Sequence, residues 1–132
     1  MPTIFTKIIQ GDIPAFIIAE NENHIAFLDI NPLQAGHTLV VPKREEDYIF
    51  DLADSELSDL IVFAKKVALA IEKVIDCERI GVSVVGLEVP HTHIHLIPIN
   101  SVTDMTFGKT AVKMSTEEFK SLAASIFAAY EE

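Results

Sequence analysis

Three histidines occupy alternate positions in the run from Pro90 to Pro98, whose other residues are mostly β-branched or apolar. Side chains alternate between the two faces of a β-strand, so this pattern predicts a strand over residues 90–98 with His91, His93 and His95 on one face. Imidazole has an ordinary pKa near neutrality and can serve as a nucleophile, a proton donor or a hydrogen-bond donor to phosphate. The strip is therefore a candidate active site, because burying three imidazoles for structure alone would require polar partners for each.

The first 42 residues predict one short helix followed by three strands. A polar turn at residues 21–23 separates the first two strands and indicates a hairpin. Proline and glycine in residues 30–36 predict a loop before the third strand, which ends at Pro42. The predicted bounds are 4–9 for the helix and 16–20, 24–29 and 38–41 for the strands.

Apolar residues recur with helical spacing in two later segments. The first helix has Asp54 or Ser55 as its predicted N-cap, and the second begins with a capping box from Ser115 to Glu118. Residues 80–85 predict a buried strand between them. Strands and helices are grouped rather than alternating, so we predict a single α+β domain over residues 1–132 with an antiparallel sheet. The two apolar stripes consist of Leu57, Leu60, Ile61, Ala64, Val67, Ala68, Ile71, Val74 and Ile75, and of Phe119, Leu122, Ala123, Ile126, Phe127 and Tyr130.

Composition narrows the classes of partner. The formal net charge of −10 argues against binding the backbone of DNA or RNA, although a small phosphorylated ligand is compatible with a local site of neutral donors. The sequence has no apolar run of about 18 residues and its start lacks the pattern of a signal peptide, so we expect a cytoplasmic protein without membrane contact. The single cysteine, Cys77, provides neither an internal disulfide nor a thiolate metal site.

Zinc binding is the alternative chemistry for a strip of histidines. The outer two of three alternating residues on a strand lie about 13 Å apart at Cα, which is too far for one zinc ion with bonds of about 2 Å. We therefore expect no metal and no cofactor. A site that recruits His37 and Glu88 as additional ligands stays open as an alternative.

Several segments together resemble one known family, the histidine triad (HIT) proteins, and in particular their nucleoside phosphoramidate hydrolase branch. Residues 91–97 resemble the family signature, in which three histidines alternate with apolar residues, except that Thr92 is polar. Residues 4–14 resemble its N-terminal segment, and residues 26–43 resemble its central one. The resemblance covers roughly residues 4–98 with motifs in the same order.

This resemblance implies a five-stranded antiparallel sheet with a long helix and a C-terminal helix, paired into a homodimer through a continuous sheet. It implies that His93 attacks phosphorus to form a covalent nucleotidyl intermediate on a purine nucleotide or nucleotide conjugate. His91 and His95 then orient the ring and contact phosphate, and His37 lies beside them. Asp29 matches a residue that binds ribose hydroxyls. The positions that enclose the base and sugar are Phe5, Ile8, Phe27 and Ile30, although Phe5 and Phe27 alone are more typical of a plain core.

Two residues before the histidine strip depart from the family pattern. Relatives carry polar side chains that hold phosphate where this chain has Leu87 and Glu88. Leucine donates no hydrogen bond, and an ionised glutamate repels phosphate. One hypothesis is that Glu88 faces the leaving group and favours an amine. The alternative function is a nucleotide-binding protein with little or no turnover.

Overall fold

The computed structural model describes residues 2–132, so Met1 of the predicted domain lies outside the described residues. A five-stranded antiparallel sheet has helices on both faces, as predicted for an α+β fold. Its strands are ordered β1-β2-β3-β5-β4. The helices are α1 (Ile4–Ile9), α2 (Asp54–Val74) and α3 (Thr116–Ala129), and the strands are β1 (Ile17–Glu20), β2 (His24–Leu28), β3 (Thr38–Pro42), β4 (Arg79–Ser83) and β5 (Ile94–Ile99).

The two faces of the sheet are covered by different helices. Even-numbered apolar residues of β2, β3 and β5 pack into a core with α2 and α3. Odd-numbered apolar residues of β2 and β3 pack with α1 instead. Because side chains alternate along a strand, Asp29, His37, His93 and His95 all lie on the α1 face, where Leu39 pairs with His95 across the strands. The even-numbered His24 lies on the opposite face and stacks on Phe63 at 5.1 Å.

The predicted histidine strand is wrong in its first half, because β5 begins only at Ile94. The amide of Thr92 donates to the Glu46 carbonyl at 2.7 Å, and the amide of His91 donates to Val89 at 2.8 Å. These bonds hold the backbone of residues 91 and 92 to loops rather than to a neighbouring strand. The histidine rings nevertheless stay on one side of the sheet.

The structure also corrects the predicted burial of β4 and the predicted N-cap of α2. Strand β4 is not buried: it pairs only with β5, ends at Ser83, and leaves Val82 60% exposed. The N-cap of α2 is Ala53, whose amide donates to the Glu56 side chain at 3.2 Å, so Asp54 is already helical. The capping box at Ser115 is confirmed.

The two predicted helical stripes are correct in most positions but not in all. Ile61 of α2 and Phe127 of α3 are exposed, whereas Phe63, which was not among the predicted stripe residues, is buried. No helix in residues 2–132 is long and apolar enough to cross a bilayer.

Candidate active site

Five aromatic rings form a continuous row on the α1 face of the sheet. The Phe5 ring, carried by α1, lies 5.9 Å from the His91 ring and 5.1 Å from the His93 ring. His93 lies 5.0 Å from His95, which in turn lies 5.2 Å from His37. Four of the five histidines therefore meet at one place, as the alternating pattern and the resemblance predicted for His37, His91, His93 and His95.

One of the two ring nitrogens of His93 has an available lone pair. Its Nδ1 lies 2.7 Å from the carbonyl oxygen of His91. A carbonyl only accepts hydrogen bonds, so Nδ1 carries the proton and Nε2 of the neutral ring is unprotonated. Nε2 has no hydrogen-bond partner within residues 2–132. Every buried side-chain nitrogen or oxygen in this part of the chain does have a partner, so Nε2 is not buried. The nitrogen therefore reaches the open surface of the site, where a neutral imidazole nitrogen is a competent nucleophile.

A second hydrogen-bonded series sets the proton positions of His37 and His95. The Leu33 amide donates to His37 Nδ1 at 3.0 Å, so the proton of the neutral His37 ring is on Nε2. That Nε2 lies 2.9 Å from His95 Nδ1 and donates to it. His95 must then carry its own proton on Nε2. Since Nε2 has no acceptor among residues 2–132, it can donate to a ligand. His95 therefore supplies a hydrogen-bond donor beside the His93 lone pair.

Burial keeps the rings of His37, His91 and His95 neutral. Removal from water lowers the pKa of His37 and of His91, and it lowers that of His95 from 6.5 to about 3, with the nearby His37 and His93 rings adding to the shift. Desolvation disfavours the charged imidazolium, so the neutral form dominates at pH 7. The hydrogen-bonded series described above requires this neutral form.

Acid should therefore destabilise the protein. Between pH 6.5 and about pH 3, His95 binds a proton in the unfolded chain but not in the folded protein. The free energy of unfolding should therefore decrease as the pH is lowered through this range. Each such histidine contributes up to about 1.4 kcal/mol per pH unit. Urea denaturation at several pH values from 7 to 4 measures the slope of the free energy of unfolding against pH. His95→Asn should show a shallower slope than wild type, and identical slopes would contradict this account.

His91 is fully buried and both of its ring nitrogens are engaged. Nε2 donates to the Pro42 carbonyl at 2.8 Å, and Nδ1 accepts from the Thr3 hydroxyl at 2.8 Å. Thr3 and Thr6 are in turn bonded to the Glu45 carboxylate. The contact of His91 with the active centre is thus its backbone carbonyl, which orients His93. A phosphate contact from the ring, as the resemblance implied, would require one of these two hydrogen bonds to break.

A cleft of about 270 Å³ opens beside His93 and His95. Many of its apolar residues come from α1 and the end of β2, and its polar side chains are two carboxylates, the Asn31 amide and the two imidazoles. Such a cleft suits a flat, partly polar small molecule. Eight of the ten predicted site residues line it, whereas His37 and His91 lie behind it: the eight are Phe5, Ile8, Phe27, Asp29, Ile30, Glu88, His93 and His95.

Asp29 lies where β2 ends, with its side chain about one-fifth exposed. One carboxylate oxygen accepts from the Asn31 amide at 2.8 Å, and the other lies 3.6 Å from His37 Nε2. These contacts fix the carboxylate at the cleft and leave acceptor capacity for hydroxyl groups of a ligand. Phe5 and Phe27 are both buried and in edge contact at 5.5 Å, so they belong to the core and also form a wall of the cleft.

Asp29, His37 and His95 are close enough to be considered as metal ligands, with donor atoms within 4.8 Å of one another. Binding a metal through His37 Nε2 would move the ring proton to Nδ1. Nδ1 would then face the Leu33 amide, which already donates to it at 3.0 Å. The donor set does not fit a metal in this arrangement, and Glu88, the other ligand considered for zinc, is not part of the cluster.

Two contacts at the site were missing from the sequence-based prediction. Thr3 bonds to His91 across 88 positions of sequence, and Phe107 packs edge-on against His95 at 4.9 Å. Neither residue lies in a motif with periodic spacing, and no sequence signal indicated them. Both contacts depend on how distant segments fold over the sheet.

Comparison with known proteins identifies the family of this chain. Residues 10–102 match the HIT domain family. An uncharacterised HIT-like protein of Methanocaldococcus jannaschii is 44% identical over 99 residues, covering 72% of this chain and 77% of that protein. The adenosine 5′-monophosphoramidase of Schizosaccharomyces pombe is 36% identical over 129 residues, covering 96% of each. The crystal structure of a HIT-like protein involved in cell-cycle regulation from Bartonella henselae matches with a TM-score of 0.82 at 32% identity, covering 96% of this chain and 95% of that one. The chain therefore belongs to the histidine triad (HIT) family.

Proposed function

We propose that this protein is a hydrolase or nucleotidyl transferase acting on purine nucleoside 5′-phosphoramidates or related nucleotide conjugates. The observation that carries the proposal is the unprotonated Nε2 of His93, held towards a nucleotide-sized cleft by the bond from Nδ1 to the His91 carbonyl. The relative from Schizosaccharomyces pombe, which aligns along almost the whole chain, is named an adenosine 5′-monophosphoramidase. The name of that relative and the geometry of this site favour the same chemistry.

The first step is attack of His93 Nε2 on the phosphorus. A nitrogen–phosphorus bond forms, the bond from phosphorus to the leaving amine breaks, and the amine takes up a proton from solvent water as it departs. The attacking His93 ring gains positive charge, which the His91 carbonyl stabilises by accepting the hydrogen bond from the Nδ1 proton. His95 donates from Nε2 to a phosphate oxygen and stabilises the charge that develops there.

The second step is attack of water on the nucleotidyl-histidine. The phosphorus–nitrogen bond to His93 breaks, the nucleoside monophosphate leaves, and the water proton is released. In a transferase, another nucleophile takes the place of water. Imidazole is a good leaving group once phosphorylated, so splitting the reaction into two steps requires no cofactor.

Asp29 is proposed to bind the ribose hydroxyls. We expect Asp29→Asn to raise KM for a ribonucleoside phosphoramidate about tenfold or more, because hydrogen bonds to an ionised group contribute about 1.5–3 kcal/mol. The wild-type protein should have a higher kcat/KM for the ribonucleoside substrate than for its 2′-deoxy analogue. The ratio of these two kcat/KM values should shrink in Asp29→Asn. Asp12→Asn, at an exposed aspartate beside α1, is the matched control. A ratio that is unchanged in Asp29→Asn would exclude the ribose role.

Turnover of adenosine 5′-phosphoramidate tests the proposed function directly. We expect release of adenosine monophosphate at a rate that a chelator does not change, since the proton on His37 Nε2 opposes metal ligation. Loss of activity with chelator would favour the zinc alternative. Tight nucleotide binding without product would favour the binding-protein alternative, for which the Glu88 carboxylate in the cleft provides a physical reason.

We further propose that the protein is a cytoplasmic homodimer whose sheets join at β4. This strand has only β5 as a neighbour, and its Val82 is 60% exposed, which leaves an edge that another strand can pair with. Sedimentation equilibrium should give twice the chain mass. Val82→Lys should raise the dissociation constant at least about tenfold, because an edge lysine opposes pairing. Val102→Lys, at a valine outside β4 that is 89% exposed, should leave the dissociation constant unchanged. A monomeric wild-type protein at micromolar concentration would refute the dimer.

A further inference from the structure

A tight turn between β5 and α3 covers one side of the His95 ring. The Lys109 amide donates to the Thr106 carbonyl at 3.3 Å and closes this turn. Gly108 occupies its third position with a φ of 96°, a left-handed conformation that favours glycine. The turn places the Phe107 ring edge-on against the His95 ring, with 4.9 Å between the ring centres.

The same turn is tied to the loop that precedes β3. The Lys109 ammonium group donates to the side-chain oxygen of Gln34 at 3.2 Å. Three residues further on, the Val112 amide donates to the Pro32 carbonyl at 2.8 Å. This loop also supplies the backbone amide that fixes the proton position of His37. The turn and the loop therefore hold each other in place beside the two hydrogen-bonded histidines.

The His95 ring must keep one orientation for its hydrogen bonds to exist. Its Nδ1 accepts from His37 Nε2 at 2.9 Å, which leaves its own Nε2 as the donor beside the His93 lone pair. Three rings lie 4.9–5.2 Å from the His95 ring, and they belong to His37, His93 and Phe107. Phe107 is the one of these three that has no polar atom. It fills its side of His95 without offering a hydrogen bond that could turn the ring.

Resting on the function proposed above, we propose that Phe107 is a positioning residue of the reaction: it holds the neutral His95 ring in the orientation that donates from Nε2 to the substrate phosphate. Phe107 does not line the cleft of about 270 Å³. A nucleotide bound there keeps all of its contacts with the cleft when the Phe107 ring is removed. Phe107 therefore acts through His95 and not on the substrate.

Removal of the Phe107 ring admits water to one side of His95. Hydration favours the imidazolium form, so the pKa of His95, which burial lowers to about 3, should rise towards its ordinary value of 6.5. A proton on His95 Nδ1 would face the proton on His37 Nε2, and two donors do not hydrogen-bond to each other. Three further titratable groups lie nearby and are unchanged by the substitution: His93 on β5, Asp29 at the end of β2 and Lys109 in the turn.

Imidazole nitrogen NMR on Phe107→Ala tests this step without substrate. Correlations between the ring protons and both ring nitrogens distinguish the neutral form with the proton on Nε2 from the imidazolium form. The signals that are missing from His95→Asn identify His95. We expect the titration midpoint of His95 to rise by about one pH unit or more in Phe107→Ala. Phe107→Tyr keeps the ring and should match wild type, as should Phe127→Ala at a phenylalanine of α3 that is 62% exposed.

Turnover of adenosine 5′-phosphoramidate by the same variants tests the role in the reaction. We expect kcat of Phe107→Ala at pH 7 to fall by about tenfold or more, because a displaced donor no longer stabilises charge on the phosphate oxygens. KM should change by less than about threefold, since the residues that line the cleft are the same. Phe107→Tyr should keep kcat within a few-fold of wild type.

The outcomes separate this proposal from the function on which it rests. An unchanged His95 titration in Phe107→Ala, or an unchanged kcat, would overturn the positioning role and leave the hydrolase intact. A fall in kcat with an unchanged His95 titration would also overturn it, because Phe107 would then act by another route. If the wild-type protein turns over no phosphoramidate, the proposed function fails, and a shifted His95 titration in Phe107→Ala would still support the control of His95 by Phe107.

Discussion

His93→Ala is expected to reduce kcat for adenosine 5′-phosphoramidate by about 10³-fold or more, because removal of the nucleophile removes the covalent route. Nucleotide binding should persist, since the apolar residues of the cleft and Asp29 are unchanged. The His93 ring is 6% exposed and packs edge-on against Phe5, so a small loss of stability is also expected. Single-turnover kinetics and a nucleotide-binding titration on the same preparation measure both parts of the prediction.

His24→Ala is the matched control for that experiment. His24 is equally buried but lies on the opposite face of the sheet, where it stacks on Phe63 and bonds to Asn21. The substitution should cost stability and leave kcat within a few-fold of wild type. Similar kcat losses in the two variants would mean that stability, rather than a nucleophile, explains the effect of His93→Ala.

Ile71→Ala should lower the free energy of unfolding by about 2–5 kcal/mol, the range for removing a buried aliphatic side chain and leaving a cavity. Ile71 is fully buried in α2, within the core between α2, α3 and the sheet. The melting temperature should fall by about 6 °C or more in a domain of this size. Urea denaturation and calorimetry give the two values.

Leu69→Ala, on the same helix, is the comparison for Ile71→Ala. Leu69 is 49% exposed, and alanine favours helix, so the cost should stay below about 1 kcal/mol. Equal destabilisation by the two substitutions would show that the burial pattern of α2 differs from the one described. The active centre lies on the other face of the sheet, so Ile71→Ala should retain activity at temperatures where it remains folded.

Strand periodicity was sufficient to predict that His93 and His95 share one face of the sheet, because the period of a strand separates odd from even positions. That His37 and Asp29 join them on that face followed only from the family resemblance. Periodicity alone does not show how far a strand extends. Residues 91 and 92 have strand-like composition, but loop carbonyls at Glu46 and Val89 bind their amides, so β5 starts later than predicted.

Proton positions and burial at the site were beyond prediction from the sequence. The lone pair of His93 depends on the carbonyl of His91, and the donor on His95 depends on the Leu33 amide through His37. The contact between Thr3 and His91 joins residues far apart in the chain. Leu87 and Glu88 are neighbours in sequence, but only Glu88 lines the cleft beside His93, and this difference depends on the path of the loop.

Intact-protein mass spectrometry at short times after mixing with adenosine 5′-phosphoramidate tests the covalent mechanism most directly. The account predicts a transient increase by the mass of one adenylyl group, which forms before product accumulates and is absent in His93→Ala. Steady release of adenosine monophosphate with no adduct at any time, together with measurable turnover by His93→Ala, would contradict nucleophilic catalysis by His93.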